Sequence, residues 1–435
     1  MKSGEVGFSE HILIAGGRVV DPSQGIDALM DVLVRDGRIA DVAAPGSLKN
    51  SASHTIKARG LIITPGLIDL HVHLREPGQS HKETIASGTA AAAAGGFTSV
   101  CTMPNTAPVN DSAEVTQWMQ NPERGAKVNV FPVAAATIGS LGQQLSDYKA
   151  LQSAGAVGVS DDGKPILEDD VMRQVLAAAL KLGLPVIQHA EDTRMTAGRP
   201  MNEGPMSFRL GLRGQPTEAE ARIVRRDIDL AAQTGAHLHI AHISAAASLA
   251  AVRDAKSRNV HVTCEVTPHH FLFTEEEVAG YDTRFKMNPP LRSNSDREAM
   301  VAGLLDGTID AIATDHAPHA YYEKEVEFDR AAFGITGLEV ALGIAISYLH
   351  RQKGMPLSTV IALLSTKPAS IISQSLRGTL AKGAHADITL FDPKKQWTYN
   401  VSKTRSLSKN CPYDGMKMYG KVTHTMVGGR IVHEG

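Results

Sequence analysis

Two histidines one residue apart, His71 and His73, stand at the end of the apolar run Leu67 to Leu74. Alternate residues of a strand share a face, so both imidazoles point to the same side. Four other apolar runs end in residues of similar chemistry: Ser160-Asp161-Asp162-Gly163, Gln188-His189-Ala190-Glu191-Asp192, Ala241-His242-Ile243-Ser244 and Thr314-Asp315-His316-Ala317-Pro318-His319. Each alone reads as a polar strand end or a helix cap, and one His-x-His pair is unremarkable in a chain with 18 histidines. Together they offer four imidazoles and two carboxylates, a donor set suited to zinc or another divalent first-row metal. One ion takes four ligands, so six exceed a single site. A carboxylate shared between two ions would use them all. Paired ions of this kind acidify water and polarise carbonyls, which is the machinery of hydrolysis.

A second set of residues points to the substrate. Arg75 follows His73 by two positions, on the same face of the strand or its extension. A guanidinium beside a dication is unfavourable unless an anionic group lies near both. Asn105, in Met103-Pro104-Asn105-Thr106, and His319, four residues past Asp315, offer further donors. The three form a cradle for a carboxylate. The competing expectation is that Arg75 pairs with Glu76 or Glu83. Cys101, near Asn105, reads as a small buried strand residue rather than a reactive thiol.

These side chains need a frame that brings distant strand ends together. Between about Pro65 and Ser375 the sequence alternates strand, loop and helix. Candidate buried strands are Leu67–Leu74, Thr98–Met103, Val128–Ala135, Val157–Ser160, Pro185–Ala190, His237–Ile243, His261–Val266 and Ile309–Thr314. Helical patterns include Ala86–Ala94, Glu168–Leu182, Ala219–Gln233, Ala245–Ala255 and Asp296–Leu305. Eight strands, most followed by a helix, predict an α/β fold built on a closed (β/α)8 barrel, whose active sites lie at the C-terminal ends of the strands. An open doubly wound sheet should carry a Gly-rich phosphate loop after an early strand, and a histidine pair stands there instead. The chain's first and last sixty residues are short β-rich runs broken by turns such as Asp36-Gly37 and Gly428-Gly429. They predict one small β-sandwich domain built from residues 1–64 and 376–435, around a metal-dependent barrel of residues 65–375.

Composition agrees with a globular enzyme. The 435 residues carry a formal net charge of −2 with 43% hydrophobic residues, which favours neither a nucleic-acid nor an acidic-membrane partner. Three scattered cysteines give no disulfide framework and suit a reduced compartment. Met1-Lys2-Ser3-Gly4-Glu5 lacks the apolar core of a signal peptide, and the apolar stretch Ala331–Ser347 is broken by glycines and Glu339. The expected location is the cytoplasm.

The run Pro65-Gly66-Leu67-Ile68-Asp69-Leu70-His71-Val72-His73-Leu74-Arg75-Glu76-Pro77-Gly78 strongly resembles the first-strand signature of dihydroorotases, in the amidohydrolase superfamily. Ala313-Thr314-Asp315-His316-Ala317-Pro318-His319 resembles their last-strand signature. The likeness extends over essentially the whole chain. It implies reversible interconversion of N-carbamoyl-L-aspartate and L-dihydroorotate, a step of pyrimidine (UMP) synthesis, on a centre of one or two Zn2+ ions. Carried over by motif, His71, His73, Asp162, His189, His242 and Asp315 correspond to metal ligands, with Asp315 also the proton shuttle. His73, Arg75, Asn105, Asn288 of Lys286-Met287-Asn288-Pro289-Pro290, His319, Phe333 and Gly334 correspond to substrate contacts. Many relatives bridge their metals with a carboxylated lysine. This chain has Asp161-Asp162 there and resembles the type that uses an aspartate. The family's spacing to the strand-five histidine favours Asp162 over Asp161.

The segment Ala320–Phe333, with Tyr321, Tyr322 and several acids, is placed to cover the barrel mouth. Its alternative reading is a surface loop without that role. Two other functions compete: a hydantoinase, dihydropyrimidinase or allantoinase, for which Arg75 and Asn105 would have no evident task, and a non-catalytic scaffold subunit for aspartate transcarbamoylase, which would be expected to lose metal ligands. The resemblance leaves room for a homodimer, or for an active enzyme associated with aspartate transcarbamoylase.

Overall fold

The computed structural model describes residues 11–49 and 51–435; the opening Met1–Glu5 run lies outside them. Eight parallel strands form the predicted barrel: β1 (Leu67–Val72), β2 (Phe97–Thr102), β3 (Asn129–Ala135), β4 (Gly158–Ser160), β5 (Val186–Gln188), β6 (Leu238–Ile240), β7 (Val262–Val266) and β8 (Ala311–Ile312). They lie side by side in chain order. The last returns to the first: Val72 pairs in parallel with His316, and His73 N donates to His316 O at 2.9 Å. The buried Asp69 carboxylate adds a second tie by accepting from both Thr314 N and His71 N. The ring is closed, which excludes the open doubly wound sheet.

Helices pack outside the ring where the apolar periodicity predicted them, including Ile85–Ala94, Asp169–Leu180, Glu218–Thr234, Ala246–Ser257 and Asn294–Leu305. The first begins at Thr84, whose hydroxyl accepts from Ser87 N while Ser87 Oγ accepts from Thr84 N, satisfying two of the helix's free donors.

One irregularity in β1 decides the site. Ile68 and Leu70 pack inside the barrel with Cys101, Val133, Ile187 and Ala311. Strict alternation would turn Val72 inward next. The register against β2 instead shifts between Asp69 and Val72. Val72 and Leu74 join the core beneath the helices, and His71 and His73 take the inward positions. A bulge of this kind re-aims side chains next to active sites.

Both chain ends contribute to the expected flanking domain, whose strands form one continuous sheet. Its order runs Arg430–Glu434, Lys417–Val427, Ile388–Thr398, Ile62–Pro65, His11–Asp21, Ile26–Arg35 and Arg38–Ala43, with His54–Lys57 added beside His11–Asp21. The two ends meet where Ile62–Pro65 pairs antiparallel with Ile388–Phe391. The turn at Asp36-Gly37 has φ of 48° and 71°, the left-handed pair that a two-residue hairpin requires. Among the described residues no helix is long and apolar enough to cross a membrane.

Candidate active site

The six expected ligands converge at the C-terminal rim of the barrel, and all are buried. His71, His73 and Asp162 place one donor atom each within 4.8 Å of one another, as do His71, His242 and Asp315, and Asp162, His189 and His242. Asp162 is common to the first and third groups. Its Oδ1 lies 3.4 Å from His71 Nε2, 3.8 Å from His189 Nδ1 and 3.9 Å from His242 Nε2. Asp315 Oδ1 lies 3.1 Å from His73 Nε2 and 3.6 Å from His71 Nε2. His71 Nε2 and Asp162 Oδ1 are buried with no hydrogen-bond partner. Orphaned buried polar atoms are rare in native proteins and ask for an occupant. Nitrogen and carboxylate donors at this spacing could hold one or two divalent ions.

Asp161 does not share in this. Its carboxylate turns to Thr137, accepting from the backbone N at 3.0 Å and from the hydroxyl.

The histidines are oriented from behind. His71 Nδ1 faces Glu265 Oε1 at 3.2 Å, His73 Nδ1 faces Asn105 Oδ1 at 2.9 Å, and His189 Nε2 faces Glu191 Oε2 at 2.8 Å. Each oxygen takes the ring's N–H, leaving the opposite nitrogen's lone pair aimed into the cluster. Sequence reading missed Glu265 and Glu191. A charge inside the apolar strand Val262–Val266, and an acid two residues past His189, were the available signals. His242 and Asp315 have φ of 29° and 46°, and Arg75 has 63°. Left-handed backbone at non-glycine residues costs about 1–3 kcal/mol each and concentrates at functional sites.

The electrostatics are those of a site built around positive charge. Burial opposes charge on His71, but Asp162 and Asp315 outweigh it and hold the ring well above the usual imidazole range. Burial likewise opposes ionisation of Asp315, yet His71 and the hydrogen bond from His73 keep it well below the carboxylate range. His242, disfavoured first by burial and then by His189, is pushed down to about 3.

A cavity of about 280 Å³ opens on the cluster, lined by Arg75, Asn105, Asn288, His319 and Phe333 beside the ligands. Arg75 is buried, with Nε donating to Pro318 O at 3.0 Å and Nη2 lying 3.3 Å from His319 Nε2. Neither Glu76 nor Glu83 pairs with it: Glu76 caps Ile85 N, and Glu83 takes Ser406, Leu407 N, Ser87 and His316. Burial lowers the Arg75 guanidinium to about 10, still charged, and no carboxylate among the described residues is in contact with it.

Asn105 is engaged at both ends, accepting from His73 and donating to Asp162 Oδ2 at 3.0 Å. Asn288 donates to Glu191 Oε2 at 2.9 Å. Phe333 O lies 2.8 Å from His319 Nε2, and a side chain at Gly334 would strike Ala317 O and the His319 ring. Asn410, which the sequence reading did not single out, holds this corner. Its amide donates to Ala317 O and Gly334 O, and its carbonyl accepts from His319 N. Cys101 is fully buried and its thiol is raised well above the usual range, first by burial.

Comparison with known proteins agrees with this geometry. A family model described as Dihydro-orotase-like matches residues 60–248. A dihydroorotase of Geobacter sp. (strain M21) is 50% identical over 425 residues, covering 98% of this chain and 99% of the relative. A dihydroorotase of Anaeromyxobacter dehalogenans (strain 2CP-C) is 47% identical over 430 residues, covering 98% and 99%. Among solved structures, the L-hydantoinase (dihydropyrimidinase) from Arthrobacter aurescens superposes with a TM-score of 0.88 at 25% identity, covering 98% of this chain and 96% of that one. A barrel whose rim gathers these ligands, in a chain half identical to such relatives over nearly its full length, belongs to the dihydroorotase family.

Proposed function

We propose that the chain interconverts N-carbamoyl-L-aspartate and L-dihydroorotate, with His71, His73, Asp162, His189, His242 and Asp315 holding one or two divalent ions, zinc suiting the donor set. When bound, such ions supply acidified water and polarise the carbonyl under attack. The buried Arg75 guanidinium, paired with no carboxylate among the described residues and opening on the ligand cluster, is the observation that carries the substrate assignment. With His319 beside it, Arg75 receives the exocyclic carboxylate and turns the ring amide carbonyl toward the cluster. Asn105, through its remaining N–H, completes the cradle.

Asp315 then moves the proton. Its carboxylate touches the His73 edge of the cluster and is held ionised, so it accepts a proton from the attacking water. It returns that proton to the departing amide nitrogen, and the reverse sequence closes the ring. General acid–base help of this kind contributes roughly 10²–10⁴-fold. Asn288 and the backbone at Phe333-Gly334 hydrogen-bond the ring's amide edges. Three unpaired, buried cysteines support a reduced, cytoplasmic setting.

Turnover of dihydroorotate should be compared with that of dihydrouracil and allantoin, with metal content determined by elemental analysis on the same preparation. Preference for dihydroorotate, lost on chelation and restored by Zn2+, is the expected result. Equal or better turnover of the uncharged rings would favour the hydantoinase class. An inactive, metal-free chain would favour the scaffold.

A further inference from the structure

A row of hydrogen bonds leaves the ligand cluster and runs down the inside of the barrel. His71 Nδ1 meets Glu265 Oε1 at 3.2 Å, and the other carboxylate oxygen lies 3.1 Å from His239 Nε2. His239 Nδ1 is 2.8 Å from Thr263 Oγ1, which is in turn 2.8 Å from His237 Nε2. The row crosses from β1 to β7, then to β6, back to β7, and ends just before β6 begins. His71, Glu265 and His239 are fully enclosed. His237 lines a separate cavity of about 300 Å³ at the N-terminal end of the barrel, with its ring stacked on His261 at 4.2 Å and with Asp310 and Lys367 on the walls.

The chemistry of these groups fixes the direction of every bond. A His71 ring that offers Nε2 to the cluster carries its hydrogen on Nδ1 and donates it to Glu265. Both Glu265 oxygens face a ring nitrogen, at 3.2 and 3.1 Å, as a carboxylate that accepts twice would. A carboxylate only accepts, so His239 also donates, from Nε2. The other His239 nitrogen, Nδ1, faces the Thr263 hydroxyl and takes its single hydrogen. The Thr263 oxygen in turn accepts from His237 Nε2. All the hydrogens of the row therefore point toward Glu265, and no member can be reversed without leaving two lone pairs or two hydrogens face to face.

We propose that Glu265, His239 and Thr263 are positioning residues of the metal centre, a relay that locks His71 in its Nδ1–H tautomer and raises the affinity of the ligand cluster for a divalent ion. It rests on the reading of that cluster as a metal centre. Loss of the Thr263 hydroxyl leaves His239 Nδ1 buried without its donor, so the ring is held less firmly and its Nε2–H donation to Glu265 weakens. Glu265 is then less firmly placed, and so is His71.

The test uses the full-length chain stripped of metal, titrated with Zn2+ against a chromophoric chelator, in the unsubstituted form and as Thr263→Val, Thr263→Ser and Glu265→Gln. Valine keeps the shape of threonine and serine keeps the hydroxyl. Thr263→Val should lose about two- to tenfold in Zn2+ affinity, the worth of one hydrogen bond, and Thr263→Ser should retain it. Glu265→Gln should lose about 10–100-fold, as partners behind metal ligands do. The metal-free Thr263→Val chain should stay folded and melt no more than a few degrees lower, and nitrogen NMR of the Zn2+-loaded chain should show the His71 Nδ1–H disturbed only in the valine and glutamine variants. Equal Zn2+ affinity in Thr263→Val and the unsubstituted chain overturns the relay while leaving the metal centre in place. An unsubstituted chain that binds no Zn2+ overturns the metal reading itself.

Discussion

Asp161 and Asp162, adjacent in the chain, serve opposite sides of it: Asp162 Oδ1 stands 3.4 Å from His71 Nε2, whereas Asp161 accepts from Thr137 N at 3.0 Å. The pair offers its own control experiment. Asp162→Asn should abolish tight Zn2+ binding. Asp161→Asn should leave it intact and cost about 1–3 kcal/mol of stability through the weakened Thr137 contacts. Zn2+ titration and denaturant melts on both variants check this; the opposite pattern would move the shared ligand to Asp161.

Asp315→Asn keeps the shape of the side chain and removes the base. Turnover should fall by about 10²–10⁴-fold in both directions, with dihydroorotate binding retained, as measured by calorimetry. Retained turnover would take Asp315 out of proton transfer.

Arg75→Met preserves bulk in a buried position and deletes the guanidinium. Loss of a charge-assisted hydrogen bond should raise KM for dihydroorotate by about 10–100-fold. Turnover of dihydrouracil, which has no carboxylate to hold, should not fall in parallel. Unchanged kinetics on dihydroorotate would refute the cradle.

Glu191→Gln weakens the acceptor that holds His189 Nε2–H. Zn2+ affinity should fall by about 10–100-fold, measured by chelator competition. Asn288, which donates to the same carboxylate, should lose its anchor as well.

Lys324 gives the segment after His319 a dependence on pH. Its ammonium is buried among the carbonyls of Lys286, Ala332 and Gly334, at 3.3, 2.7 and 3.1 Å. Burial first, and then Lys286, lower it from 10.5 to about 7, while Asp282 and Glu323 act in the other direction. A released segment returns the amine to water and to its ordinary value. Packed, the segment therefore binds this proton more weakly than it would if released, and its packing strengthens as pH rises from about 7 toward 10.5. Amide exchange over residues 332–335, corrected for its intrinsic rate, should show rising protection across that range, and Lys324→Met should weaken the trend, leaving the part owed to Lys286, which burial lowers to about 8. Protection that falls with pH would reverse the sign and refute the account.

The sequence made the barrel legible because its strands are short apolar runs bounded by turns, and the ligands stand at their ends. Strand limits were read too long at several of those ends. His237–Ile243 shrinks to Leu238–Ile240 and Ile309–Thr314 to Ala311–Ile312, with His242 and Asp315 standing past the strand ends at positive φ. The bulge after Asp69 was invisible, since it depends on register against β2 rather than on any residue type. Motif spacing favoured Asp162, and only the fold shows what occupies Asp161. Glu265 and Asn410 escaped because their roles arise from contacts across more than sixty residues of chain, with His71 and with Gly334, and Thr263 because its partners His239 and His237 stand on the neighbouring strand, 24 and 26 residues before it.

The ring closes only when the strand carrying His71 meets the one carrying Asp315, and Asn410 still has to fasten the corner beyond it. Ions captured by a nascent polypeptide would find half a nest until nearly all of it had left the ribosome. An ion held by the proposed ligands would load only once the first and last strands had met, and a proteolytic cut that let those strands part would separate His71 and His73 from Asp315.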